Sequence, residues 1–262
     1  MLLTHIGGPT ALLTIGGLSL LTDPAFDQPR EYHLPGRVMT KLTGRALEIA
    51  ELGPIDAVLL SHDQHKDNLD ESGRELLSSV PKVLSTTAAA ERVPGVHGLE
   101  NWASIDLARP DGGVLTVTGL PARHGPEGCE PVTGIVTGFL LTGDDLPTVY
   151  VSGDNASVDL VDELVTRLAA GTIPGVKAGS VDVAVLFAGA ARTPLLDGAP
   201  LTLTSEAAVE AARLLNPAVI VPVHTEGWAH FSEGPTHLAK TFTTANLADR
   251  LRLPTAGIAM DL

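Results

Sequence analysis

Short apolar runs alternate with glycine, proline and polar clusters along the whole chain, and their period changes on the way. Residues 2–6, 11–15 and 18–21 are apolar stretches broken by glycine pairs, which predicts an antiparallel meander with Gly16-Gly17 as a tight turn. Residues 45–52 have a helical composition and end at Gly53-Pro54, a stop signal. A short buried strand is expected at 57–60, running at once into the polar segment 61–68, and a helix at 71–79. The pattern then predicts a strand at 82–85, a short helix at 87–92, strands at 114–120 and 135–141 around a Gly/Pro-rich loop, and a strand at 148–152. Beyond it, helices at 157–170, 205–215 and 236–248 alternate with strands at 181–187, 219–223 and 257–260. Ser157 and either Thr204 or Ser205 are placed to cap the first two of these helices. β-Rich segments followed by alternating strands and helices predict a layered α/β domain.

The chemistry-bearing residues sit at one recurring place in this pattern. His62, Asp154 and His224 each fall just beyond the C-terminal end of an apolar strand, and His124 follows the 114–120 strand after three more residues. Loops at strand ends are where a rigid layered fold presents functional side chains. Any one of these residues alone reads as a hydrogen-bonded loop residue, and Asp154 in Gly-Asp-Asn as an Asx-turn. Together they form a convergent set.

Composition narrows what that set can do. There are nine His but one Cys, Cys129, so a disulfide framework or a Cys-rich zinc module is excluded. Imidazole nitrogens and carboxylate oxygens are the usual ligands of divalent ions when thiolates are absent. The segment 62–67 carries four candidates, His62, Asp63, His65 and Asp67, and His124, Asp154 and His224 can close the coordination sphere from other loops. A site for zinc or a similar divalent ion is expected, with manganese, nickel and iron as other metals suited to such ligands.

These blocks resemble the metallo-β-lactamase-fold hydrolases, in the branch that includes ascorbate-6-phosphate lactonase-like and acylethanolamine phospholipase D-like proteins. The similar segments are Leu3-Thr4-His5-Ile6-Gly7, Leu21-Thr22-Asp23-Pro24, Leu59-Leu60-Ser61-His62 through Asp67-Asn68-Leu69-Asp70, Arg123-His124, Val151-Ser152-Gly153-Asp154 and Val221-Pro222-Val223-His224. The resemblance covers nearly the whole chain and implies one domain, 1–262, folded as a four-layer αββα sandwich of two mixed β-sheets with helices on the outer faces. The central family pattern is H-x-H-x-D-H. Here the loop is one residue longer, so either His62 or Asp63 takes the first position, followed by His65 and Asp67. Asn68 stands where the last His is expected, which weakens a second metal position. Asp67 and His224 can still hold that ion with Asp154 as the bridge. Equally, one ion can be held by His62 or Asp63, His65, His124 and Asp154. Gly8 stands where relatives often carry a His. Asp23 is expected to orient a ligand His through its other ring nitrogen, or else to serve the turn.

The resemblance implies a hydrolase that turns a metal-activated water on a small-molecule lactone, ester, amide or phosphodiester. Asp67 is the candidate general base, and His230, six residues after His224, the candidate proton donor to the leaving group. Alternatives are an iron-dependent oxidoreductase on the same fold and a non-catalytic metal-binding domain, with Asn68 as a sign of decay. Lys66 and Arg123 flank ligand positions and can offset substrate charge or be solvated surface charge. Trp228 and Phe231 can wall a pocket, though packing against the last helix is the first expectation. Segments 26–40, 125–131 and 192–200 are the expected specificity loops. With 17 basic against 31 acidic residues the net charge is −14, which argues against nucleic acid and anionic membranes as partners. The start lacks a basic leader and no apolar run reaches about 18 residues, so a cytoplasmic protein acting on a small molecule is expected.

Overall fold

A computed structural model describes residues 1–262. In chain order its elements are β1 (Leu2–Gly7), β2 (Thr10–Ile15), β3 (Leu18–Thr22), β4 (Arg30–Leu34), β5 (Arg37–Lys41), β6 (Ala57–Leu59), α1 (Glu71–Leu76), β7 (Lys82–Ser85), α2 (Thr87–Arg92), β8 (Val96–Gly98), β9 (Ser104–Ala108), β10 (Val114–Ala122), α3 (Glu130–Thr133), β11 (Val136–Thr142), β12 (Val149–Val151), α4 (Val158–Ala170), β13 (Val183–Phe187), α5 (Ser205–Leu215), β14 (Val219–Val223), α6 (Pro235–Thr244) and β15 (Ala259–Asp261). One mixed sheet has the order β15-β1-β2-β3-β6-β7-β8, the other β14-β13-β12-β11-β10-β9, and β4-β5 is a separate hairpin.

Side-chain alternation explains the layers. Along β6 and the residue after it, Ala57 and Leu59 enter the core between the sheets, whereas Val58 and Leu60 join an outer cluster with Leu76 of α1 and Val93 just after α2. Along β13, Val183, Val185 and Phe187 enter the same inner core, and Ala184 and Leu186 face α4, α5 and α6. Strands buried on both faces read as continuous apolar runs rather than as alternating ones. Val161, Leu164 and Leu168 form the buried face of α4, and Leu238 and Phe242 that of α6. The αββα sandwich is the result.

Strand direction brings the site together. β3, β6 and β7 are parallel, as are β12, β13 and β14. β10 is antiparallel to β11, which is antiparallel to β12, so β10 points the same way as β12. The ends of β10, β12 and β14, carrying His124, Asp154 and His224, therefore share one edge of their sheet. The loop after β6 meets that edge, where Thr137 N donates to Ser61 O at 3.1 Å.

Several expected elements form as read. Gly16 and Gly17 take φ of 58° and 78° in the β2–β3 turn, and Ser157 and Thr204 cap α4 and α5. The helix expected at 45–52 is instead a single 3-10 turn at Ile49–Glu51. Ala46 N donates to Ile6 O at 2.8 Å, so the segment ties itself to the end of β1 rather than to its own preceding turn. Eight residues are also too few for a helix to persist without an apolar face to bury. The helix expected at 71–79 tightens into a 3-10 turn after Leu76. The β4–β5 hairpin, expected only as a loop, turns at Pro35-Gly36 with Gly36 at φ 75°.

Candidate metal centre

Four ring and carboxylate groups meet behind the end of β6. His62 Nε2 lies 2.8 Å from His65 Nδ1, His124 Nε2 lies 3.2 Å from the same His65 atom, and Asp154 Oδ2 lies 3.5 Å from His124 Nε2. All four residues are buried. A second group, Asp67, Asp154 and His224, adjoins it through Asp154. His224 Nε2 lies 3.8 Å from Asp154 Oδ1 and 3.2 Å from Asp67 Oδ2, which also receives His230 Nε2 at 3.0 Å.

Tautomers follow from what holds the far side of each ring. His124 Nδ1 donates to Leu201 O at 2.7 Å, so its Nε2 presents a lone pair. His62 Nδ1 lies 3.0 Å from Ser61 Oγ, which donates to Asp23 Oδ2 at 2.7 Å, so His62 Nε2 is likewise turned inward. Asp23 thus acts on His62 through the Ser61 hydroxyl. Burial, and then the charges of His65 and His124, hold His62 well below the usual imidazole range. Burial and His124 likewise lower His65 to about 3. The His62 and His65 rings are neutral at pH 7, and the Nε2 lone pairs of His62 and His124 both converge on His65 Nδ1. Asp154 Oδ2 and Asp67 Oδ1 are buried and have no hydrogen-bond partner. A divalent ion resolves both features, because it accepts several lone pairs at once and neutralises a buried carboxylate.

The surrounding charges are arranged around Asp154. Burial first, then the Asp154 charge, raises Asp23 to about 7. Burial opposes the charged form of His224, but Asp154 and Asp67 together outweigh it and raise its pKa. Burial also opposes the Asp67 carboxylate, and His230 and His224 outweigh it and hold that group well below the usual range. Asn68 Nδ2 donates at 3.1 Å to both Asp23 Oδ2 and Asp154 Oδ1. The amide that replaces the expected His therefore bridges two carboxylates that would otherwise repel each other.

Backbone geometry places the candidate ligands. Gly153 has φ 55°, and a Cβ there would stand 2.5 Å from Thr137 O and 2.9 Å from Ser61 Cβ. Only glycine allows the turn that delivers Asp154. Asn155 Oδ1 accepts Arg123 N at 3.1 Å and Ser157 N at 3.0 Å, clamping the His124 loop to the Asp154 loop. His224 sits at φ 58°, its N donating to Gly8 O at 2.7 Å. His5 Nε2 bonds the same carbonyl at 3.0 Å, which makes His5 a support for the loop.

Of the expected site residues, His62, His65, Asp67, His124, Asp154, His224 and His230 are brought together and Asp63 is not. The Asp63 carboxylate is held by Arg92, with Oδ1 2.5 Å from Nη2 and Oδ2 3.0 Å from Nε. The extra residue of the loop thus turns Asp63 out to α2 and leaves His62 facing inward. Trp228 and Phe231 do not pack on the last helix. Trp228 stacks on Tyr32 of β4 at 5.6 Å, and the Phe231 ring lies 4.2 Å from His224 and 4.7 Å from His230. The β4–β5 hairpin beside them occupies a segment expected as a loop. Its signal was the alternation around Pro35-Gly36, with Tyr32 and Met39 turned inward.

The beta-lactamase superfamily domain matches residues 19–225, and the chain belongs to that family. Two curated relatives are called UPF0173 metal-dependent hydrolases. The one from Pyrococcus abyssi is 25% identical over 210 residues, 76% of this chain and 80% of its own. The one from Pelotomaculum thermopropionicum is 27% identical over 229 residues, 84% of this chain and 90% of its own. Among solved structures, isothiocyanate hydrolase from Delia radicum gut bacteria shares the fold with a TM-score of 0.79 at 22% identity, over 100% of this chain and 99% of that one.

Proposed function

We propose that this chain is a metal-dependent hydrolase whose main ion is held by His62, His65, His124 and Asp154. The observation that carries this reading is the convergence of those four buried donors within 4.8 Å of one another. Zinc is the first candidate, since the donors are nitrogen and oxygen only; manganese, nickel and iron suit them too. Asp67, Asp154 and His224 form a smaller, three-donor position for a second ion. When bound, a divalent ion here lowers the pKa of a water molecule toward about 7 and polarises an electrophile.

The remaining work falls to the chain. With only the main ion bound, Asp67, held ionised by His224 and His230, accepts a proton from the attacking water. His230, whose side chain keeps 22% exposure while bonded to Asp67, passes a proton to the leaving group. Phe231 packs against both imidazoles and excludes bulk water from that side. Resemblance to the lactonase-like and phospholipase D-like branch puts lactones and phosphodiesters first among substrates, with esters and amides next. The acidic surface favours small molecules over nucleic acid.

The test is to load purified protein with zinc, count bound metal, and assay lactones, carboxylic esters and bis-aryl phosphodiesters. One class is expected to be hydrolysed. His65→Ala should lose both the metal and the activity. His230→Gln should keep the metal and lose at least about tenfold in kcat. Turnover that survives in His65→Ala, or a wild-type chain that takes up no metal, would refute the reading.

A further inference from the structure

A pocket of about 80 Å³ opens beside the metal centre, lined among others by Arg37, Met39, Arg192, Leu201 and His230. Two of these residues bond directly to the centre. His230 reaches Asp67 at 3.0 Å, and Leu201 O receives His124 Nδ1 at 2.7 Å. The pocket therefore abuts the centre, with His230 lining it on one side and bonded to Asp67 on the other.

The two arginines give this pocket a charge opposite to that of the chain as a whole. In a protein of net charge −14, neither guanidinium has a carboxylate within 4.0 Å. Arg192 is spent on structure: its Nε donates to Ser232 Oγ at 3.0 Å, and Nη1 donates to Gly198 O at 2.5 Å. Arg37 is different. It is half-buried, and no protein acceptor takes any of its hydrogens. The two cations that flank ligand positions in the sequence are engaged elsewhere, Lys66 with Glu71 at 3.2 Å and Arg123 with Ser157 Oγ at 3.1 Å.

Arg37 is also held where it is. It follows the Pro35-Gly36 turn of the β4–β5 hairpin. The far end of that hairpin is pinned by Lys41, whose buried ammonium lies 3.0 Å from Asp70 Oδ2 and 2.8 Å from Ala25 O. Its middle is pinned by the stacking of Tyr32 on Trp228. A half-buried guanidinium with five free donors, on a fixed support over a pocket, matches a carboxylate or phosphate group.

We propose that Arg37 is the specificity residue of this site. It selects substrates that carry a carboxylate or phosphate group, seated in the pocket while the scissile bond faces His124 and Asp67. The inference rests on the hydrolase reading for the word substrate, but anion binding is measurable without turnover. Zinc-loaded protein is titrated by calorimetry with inorganic phosphate and with succinate, using succinamide as the neutral control. Wild-type protein should bind both anions and not the amide. Arg37→Gln, which breaks no contact of the fold, should weaken anion binding on the order of tenfold or more. Arg37→Lys should recover part of it, and all variants should keep the same zinc content. A wild-type chain that binds neither anion overturns the proposal. So does Arg37→Gln binding them as wild type does, since the ion alone would then hold the anion. If the anions bind through Arg37 and no ester, lactone or phosphodiester is turned over, the hydrolase reading fails and the anion site stands. Where turnover is found, the ratio of kcat/KM for mono-(4-nitrophenyl) succinate to that for 4-nitrophenyl acetate should fall in Arg37→Gln through KM.

Discussion

Asp63 and His62 are neighbours with opposite fates, and a single inserted residue separates them. His62 faces His65 and His124, while Asp63 is bound on both oxygens by a guanidinium 29 positions away. From composition alone both are good ligands; what decides between them is Arg92, which the chain order does not place beside the loop. Substitution separates the two roles. Asp63→Asn should cost about 1 kcal/mol of stability, as expected for a partly exposed pair, and leave bound zinc per chain unchanged. His62→Ala should lower bound zinc. Elemental analysis together with urea unfolding reads both, and zinc loss in Asp63→Asn would return that residue to the ligand set. Asn68 shows the same dependence on neighbours. The sequence marks it as a departure from a family pattern; the fold shows its amide holding Asp23 and Asp154 together.

At the scale of elements, the site depends on turns more than on strands. β12 delivers Asp154 only because Gly153 takes a left-handed turn against Thr137. Gly153→Ala should destabilise the protein by about 3 kcal/mol, from backbone strain plus a forced displacement, and should reduce zinc uptake by shifting Asp154. Gly175→Ala is the control: its φ is also positive, at 74°, but no atom lies within 4 Å of the added methyl. It should cost about 1 kcal/mol and leave zinc uptake intact. Equal effects on zinc from the two variants would contradict this account. The meander, the capped helices and the strand-end positions were legible because hydrophobic periodicity and capping are local signals. The hairpin over residues 30–41 is harder to read, because its inward residues Tyr32 and Met39 pack on Trp228, 196 and 189 positions further on. The segment 45–52 departs from its helical composition for the related reason that Ala46 N bonds to Ile6 O of β1.

At the scale of the whole molecule, metal binding, folding and pH are linked through buried imidazoles. Burial lowers His65 from 6.5 to about 3, so between those values the unfolded chain binds the proton and the folded chain does not. Stability from this group is complete above pH 6.5 and is lost as pH falls toward 3, by at most about 1.4 kcal/mol per unit. Asp23, raised to about 7, has the opposite sign: its cost grows as pH rises from 3.8 to 7. The two partly cancel in the intact protein, so a difference between variants is the useful measurement. In metal-free protein, urea unfolding from pH 7 to pH 4 should show the wild-type chain losing about 3 kcal/mol relative to His65→Gln. A difference that does not change with pH would contradict the burial of a neutral His65. The sequence by itself determined the layered α/β class, the strand ends that carry His and Asp, and the exclusion of a disulfide framework or a Cys-rich zinc module, because periodicity and composition are written in local order. Only the tertiary structure decided that His62 and not Asp63 faces the centre, that Asn68 bridges two carboxylates, and that Arg37 stands over the pocket. Each of those outcomes depends on a partner brought close by strand pairing and burial rather than by position in the chain.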